Sequence, residues 1–151
     1  MSTCFFIGHR ETGDGILPLL TEAVERHIVK YGVTEFVVGQ YGNFDRLAAL
    51  AVRRAKEKHK KVTLTLLLPY YIPSAVSRSA SEGYDWTFYP PGMEHVPKRA
   101  AIVWANRYMV DHSGFLIACV WHPASSARDL LDYAKARGTV QVENLAEQTN
   151  P

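Results

Sequence analysis

The chain is poor in the features that announce a function at first reading. It has only two cysteines in 151 residues, too few for a disulfide scaffold. Cys4 and Cys119 form no Cys-x-x-Cys pair, so thiol redox chemistry has no framework here. Both lie in apolar runs and read as buried free thiols; neither local sequence supplies the electropositive setting that a nucleophilic cysteine needs. None of the six histidines shows metal-ligand spacing, and His-Glu-x-x-His is missing, so no metal or other cofactor is expected. The Gly-x-Ser-x-Gly elbow, the phosphate-binding Gly-x-x-x-x-Gly-Lys-Ser/Thr loop and the Gly-x-Gly-x-x-Gly fingerprint are missing too. No apolar run is long enough for a transmembrane helix. The N-terminus enters Cys4-Phe5-Phe6-Ile7 directly, without the charged head and longer apolar stretch of a signal peptide, so the expected compartment is the cytoplasm. Net charge is only +2, which argues against nucleic acid and membrane surfaces as partners.

What is present is an ordinary soluble composition, 47% hydrophobic and 21% charged, in a length that fits one domain with one core. Thr3–Ile7 reads as a strand ended by Gly8. Ile16–Tyr31 carries apolar residues at a helical period (Leu20, Ala23, Val24, Ile28) and stops at Gly32. Glu35–Val38 is a second strand, and Phe44, Leu47, Ala48, Ala51, Val52 and Ala55 form the next helical stripe. Val62–Leu68 is a strand closed by Pro69, and Trp86–Tyr89 a short one closed by Pro90-Pro91. Val96–His112 reads as a helix with Ile102, Ala105 and Met109 inward. Phe115–Val120 is a strand, Ser126–Arg137 a helix stopped by Gly138, and Thr139–Val142 the last strand. The domain is set at 1–144, with 145–151 as a tail. Strands alternating with helices predict an α/β fold with a mainly parallel, doubly wound sheet.

Such sheets bind ligands beyond the carboxyl ends of their strands. Here those ends are Gly8-His9-Arg10, Gly39 to Asp45, Pro69-Tyr70-Tyr71 and Trp121 to Ser126. In Gly39-Gln40-Tyr41-Gly42-Asn43-Phe44-Asp45 the two glycines permit close backbone approach, and the following helix offers free N–H groups to an anion. The plainer reading is a tight turn with Asn43 as N-cap. Asp45 is suited to a ribose hydroxyl or to the positive end of the helix dipole, not to a phosphate. Arg10 can grip a phosphate through its planar fork, and His9 can donate a bond or titrate; a solvated loop is the alternative. Arg107 flanks the inward stripe of its helix, and a half-buried arginine there needs an anionic partner, either a ligand or Asp111. Ser125 and Ser126 can cap a helix, bind an anion through their amides, or both. The basic run Arg53, Arg54, Lys56, Lys58, Lys60 and Lys61 falls on a helix's outer face and reads as solvated. Tyr84, Trp86, Phe88 and Tyr89 are able to stack a base or to pack an edge.

Cys4-Phe5-Phe6-Ile7-Gly8-His9-Arg10, Val38 to Ala48, Leu68-Pro69-Tyr70, Asn106 to Ser113 and Tyr133-Ala134, in that order, resemble the YpsA-like branch of the SLOG superfamily. The resemblance covers almost the whole chain. It implies a Rossmann-like sheet, association with nucleotides or their derivatives, and kinship to Lonely-guy phosphoribohydrolases and to the DNA-processing proteins of natural transformation. It further implies that Gly8, Arg10, Gly39, Gly42, Asp45 and Arg107 line the ligand site, and its apolar, aromatic surfaces are compatible with a homodimer. One departure matters. Where relatives carry a Gly-Gly-Thr-like turn, this chain has Ser125-Ser126-Ala127, and the count to the hydrolases' glutamate lands on Asp132, a shorter carboxylate.

Three functions compete. The favoured expectation is a binding module, a sensor or carrier of a nucleotide or sugar-phosphate derivative, held by Gly8, His9, Arg10, Gly39, Gln40, Tyr41, Gly42, Asp45, Pro69, Tyr70, Arg107, Ser125 and Ser126. The second is hydrolysis of a nucleoside monophosphate's N-glycosidic bond, with Arg107 orienting the phosphate and Asp132 steadying the sugar cation or aligning water. The third is single-stranded DNA binding, whose signature would be strong salt dependence.

Overall fold

The computed structural model describes residues 2–70 and 82–148. Six strands form one sheet: β1 (Ser2–Gly8), β2 (Val33–Val38), β3 (Thr63–Leu67), β4 (Trp86–Phe88), β5 (Phe115–Cys119) and β6 (Gln141–Asn144). Their order is β4-β3-β2-β1-β5-β6, and every neighbouring pair is parallel. Among the described residues the α-helices are α1 (Leu17–Val29), α2 (Asn43–Lys56), α3 (Ala101–His112) and α4 (Ser126–Arg137). This is the doubly wound, Rossmann-like α/β fold expected, in a wholly parallel form.

The sheet is covered on both faces because its central strands are apolar on both. In β1, Cys4 and Phe6 pack with α1 and α2, whereas Phe5 and Ile7 pack with α3 and α4. Adjacent residues in a strand point to opposite faces, so Phe5 and Phe6 anchor one layer each. Burying each such side chain contributes about 1.5–3 kcal/mol. The edge strand β4 is only three residues long and leaves Trp86 exposed; short edges resist pairing with other chains.

Several boundaries differ from the sequence reading for local reasons. The predicted helix from Val96 begins only at Ala101; the approach is made of two short 3-10 turns, Met93–His95 and Lys98–Ala100, with Pro97 between them. Its buried residues are Ala101, Ala105, Met109 and Val110, so Ile102, expected inward, turns elsewhere. α2 is capped by Gly42 at φ 132° rather than by Asn43. β6 lies two residues later than Thr139–Val142. The expected tail does not trail free at its start: Leu145–Gln148 forms a 3-10 turn with Leu145 and Ala146 buried. Tyr71 and residues 149–151 lie outside the described residues. Among the described residues no helix is long and apolar enough to cross a membrane.

The topology fixes where a site can form. β2 lies on one side of β1 and β5 on the other, so the loops leaving β1 and β5 diverge. A crevice opens at such a reversal of strand order.

Candidate nucleotide-binding cavity

A cavity of about 540 Å³ occupies that crevice, on the α3/α4 side of the sheet. Its floor is the carboxyl end of β1, its roof is Arg99 in the preceding 3-10 turn together with α3 as far as Arg107, and one wall is the first turn of α4. The volume lies within the range of small-molecule sites. Of the expected residues, the cavity collects Gly8, His9, Arg10, Gly39, Tyr41, Asp45, Pro69, Arg107, Ser125 and Ser126. It does not include Gln40, Gly42, Tyr70 or Asp132.

The glycines have internal reasons to be there. A Cβ on Gly8 would stand 2.3 Å from the Phe44 ring, and one on Gly42 would stand 2.5 Å from Arg10 Cα. A Cβ on Gly39 would stand 3.0 Å from Asp45 Oδ2. The loop is drawn tight on itself as well: Tyr41 N–H donates to Asp45 Oδ2 at 3.1 Å, and Asn43 N–H donates to the Arg10 carbonyl at 2.9 Å. The Asn43 amide also donates to Asp14, and its oxygen accepts from Arg46. These bonds fasten the loop after β1 to the start of α2. They occupy the Asn43 N–H, the first of the helix N–H groups expected to be open to an anion.

Asp45 is the most perturbed acid of the cavity. Burial pushes its carboxyl up to about 6, against the opposing pull of the Tyr41 N–H and the Arg10 guanidinium. Near neutrality it is poised between a charged and a neutral form.

His9 is 5% exposed. Its Nε2 accepts from the N–H groups of Trp121 at 3.2 Å and His122 at 3.3 Å. Accepting two bonds requires a lone pair, so the ring is neutral with its proton on Nδ1. Burial, its main influence, lowers the pKa accordingly. His9 therefore ties the loop after β1 to the loop after β5 while one edge borders the cavity.

Arg107 departs from its expected setting. It is exposed rather than half-buried, and its guanidinium lies 5.0 Å from the centre of the Tyr133 ring. Asp111, the internal partner considered for it, is taken: it bonds the Tyr133 hydroxyl at 2.9 Å and Arg137 at 3.1 Å. Arg107 is thus held by cation–π contact at the cavity's edge, and its guanidinium donates no hydrogen bond among the described residues. Arg10 and Arg99 also line the cavity, and none of these three arginines is in an ion pair among the described residues. The lining carboxylates are Glu11, Asp45 and Asp129.

Ser125 caps α4, its Oγ accepting from Arg128 N–H at 3.0 Å. Ser126 and Ala127, in the first turn of α4, border the cavity, and the first N–H groups of a helix have no partner within it. Of the carboxylates on α4, Asp129 borders the cavity and exposed Asp132, one turn on, does not. The sequence reading missed Arg99, Asn106 and Asp129. Arg99, Ile102 and Asn106 are spaced by three and four, so a second helical stripe was present in the sequence; it was masked by taking Ile102 as core. The cysteines are buried, and burial raises both thiols, Cys119 to about 11.

No protein-family model and no curated protein matches the chain. Among solved structures it is similar to DNA processing protein A from Streptococcus pneumoniae, with a TM-score of 0.65, 15% identity and coverage of 94% of this chain and 49% of that one. It is also similar to DNA processing protein A from Helicobacter pylori, described for its unique single-stranded DNA binding mode, with a TM-score of 0.55, 15% identity and coverage of 93% and 74%. The chain spans about half the length of the pneumococcal protein. At this identity the likeness is one of fold alone.

The likeness corrects one expectation. A net charge of +2 was taken to argue against nucleic acid, yet a protein of this fold binds single-stranded DNA. Net charge was the wrong quantity: a strand meets the local arginines of one rim, not the sum over the surface.

Proposed function

We propose that this chain binds single-stranded DNA along the carboxyl edge of its sheet, with one nucleotide seated in the cavity above β1. The carrying observation is the set Arg10, Arg99 and Arg107, in no ion pair among the described residues, around a nucleotide-sized cavity. Guanidinium forks suit phosphate oxygens, and apolar Leu67, Ile102 and Val103 give a base a dry surface. The fold of the Helicobacter protein lends support. Near neutrality Asp45 holds its proton part of the time, which lessens its repulsion of a nearby phosphate.

The second reading is a free nucleotide or nucleotide derivative as the ligand. It is favoured by the closure of the cavity between β1, α3 and α4. The ordered motifs from Cys4 to Ala134 support the YpsA-like branch for either reading. The geometry lends no support to hydrolysis through Asp132, which stands outside the cavity.

Thermal shift against oligo-dT, AMP, ADP-ribose and NAD tests both readings, because a ligand that binds only the folded state raises the melting temperature. A shift with oligo-dT that is lost in Arg107→Ala is expected. A shift with mononucleotides alone would replace the first reading by the second, and no shift with any of them would remove both.

A further inference from the structure

A second cavity, of about 570 Å³, lies on the other side of the loop after β1. Residues 8–11 of that loop border the first cavity, and Thr12, Gly13, Gly15 and Ile16 border the second. Its remaining walls include Cys119, Trp121 and Arg128. The two cavities meet back to back at one ring pair: His9 borders the first, Trp121 borders the second, and their centres lie 4.2 Å apart at 75°.

Three features of this second cavity point to one kind of occupant. The Trp121 side chain is 47% exposed, although a large indole is normally well buried. One edge of it is fixed by His9, so the ring is oriented rather than loose. Arg128 is held in place by the carbonyls of His122 at 3.0 Å and Val120 at 3.4 Å, and it forms no ion pair among the described residues. Glu147 is the carboxylate of the lining. The buried polar groups nearby are spent internally: Asn144 bonds Val120 in both directions, and Thr12 donates to the His9 carbonyl. An oriented aromatic face beside a carbonyl-held guanidinium, with little left to read hydrogen bonds, suits a stacked base and its phosphate.

We infer that the second cavity is a further nucleotide subsite, in which a base of single-stranded DNA stacks on Trp121 and its phosphate meets Arg128, so that the strand crosses the His9–Trp121 ridge. This rests on the proposed DNA-binding reading and extends it to adjacent nucleotides. Stacking makes the subsite tolerant of base identity. The length of the ligand, rather than its sequence, then sets the affinity.

The experiment uses the full chain with Trp86→Phe and Trp104→Phe, which leaves Trp121 as the sole tryptophan. It is titrated with the 5′-phosphorylated thymidine mononucleotide, dinucleotide and tetranucleotide, following Trp121 emission and, in parallel, heat of binding. The expected result is binding of all three, with emission quenched only by the di- and tetranucleotide. In the otherwise unaltered chain, Trp121→Ala lowers tetranucleotide affinity by about tenfold, the size of one base–aromatic stack, and Trp121→Phe restores most of it. If the tetranucleotide binds with no change in Trp121 emission and Trp121→Ala binds it equally well, the second subsite falls and the first cavity stands. If none of the three binds the unaltered chain, the DNA-binding reading falls and takes the subsite with it.

Discussion

Replacing Asp45 by asparagine should stabilise the protein at high pH and leave it nearly unchanged at low pH. The carboxyl is raised from 3.8 to about 6, chiefly by burial. The folded chain therefore keeps this proton up to about pH 6, while the unfolded chain releases it near 3.8. Between those values the folded state binds more protons, so stability falls as pH rises through the window. Two units at 1.36 kcal/mol each set a ceiling of about 3 kcal/mol, and partial exposure of the side chain reduces the expected cost to about 1–2 kcal/mol. Asparagine never ionises, yet its oxygen can still accept from the Tyr41 N–H. Urea denaturation of both proteins at about pH 4 and about pH 8 gives the comparison. Asp45→Asn should match the parent at the lower pH and gain about 1–2 kcal/mol at the higher, or about 2–8 °C in Tm. An equal effect at both pH values, or a loss at the higher, would refute the placement of this carboxyl in a desolvated setting. The same logic reaches function: a phosphate bound near Asp45 is repelled when the carboxyl ionises, so DNA affinity should weaken between about pH 5 and pH 8 in the parent and much less in Asp45→Asn.

Gly8→Ala should destabilise the fold by about 1–3 kcal/mol through overpacking against Phe44, and Phe44→Leu in that background should recover part of the loss; a neutral Gly8→Ala in denaturant melts would contradict the 2.3 Å approach. Ser125→Ala should cost about 1 kcal/mol through loss of the α4 cap, whereas Ser126→Ala should cost little, and thermal melts separate the two. The His9 imidazole should titrate below about 6.5 in an NMR pH series, because burial favours its neutral form and stability is lost as pH falls below the unfolded value; a midpoint at or above that value would contradict its role as a double acceptor.

Much of the fold was legible because its signals are local and repeated. Apolar runs of strand length alternate with stripes at helical spacing, and Gly32 and Gly138, at φ 70° and 69°, mark helix ends as expected. Boundaries failed where a neighbour in space decides. Pro97 delays α3, and Leu145 joins the core because α1 and the adjoining strands need a lid there, a requirement no single segment declares. The site was legible as a rim but not as a geometry. Gly8, Gly39 and Gly42 look like a phosphate cradle in one dimension, and only the fold shows that Phe44, Asp45 and Arg10 claim the space beside them. Arg107 was found but misplaced in depth, since flanking a stripe does not tell a half-buried arginine from an exposed one stacked on a tyrosine from another helix. Arg99 and Asp129 belong to no functional motif; the 3-10 turn before α3 and the first turn of α4 bring them to the same cavity.

The measurement that tests the central claim most directly is the salt dependence of binding to a fluorescent single-stranded oligo-dT, followed by anisotropy. Four arginines, Arg10, Arg99, Arg107 and Arg128, border the two cavities without ion-paired carboxylates among the described residues. With each neutralising one phosphate, the logarithm of affinity should fall with the logarithm of salt at a slope of about −2 to −3, and Arg107→Ala should reduce that slope by roughly 0.7. No binding at low salt, or a slope unchanged by Arg107→Ala, would contradict a DNA site at the carboxyl edge of this sheet.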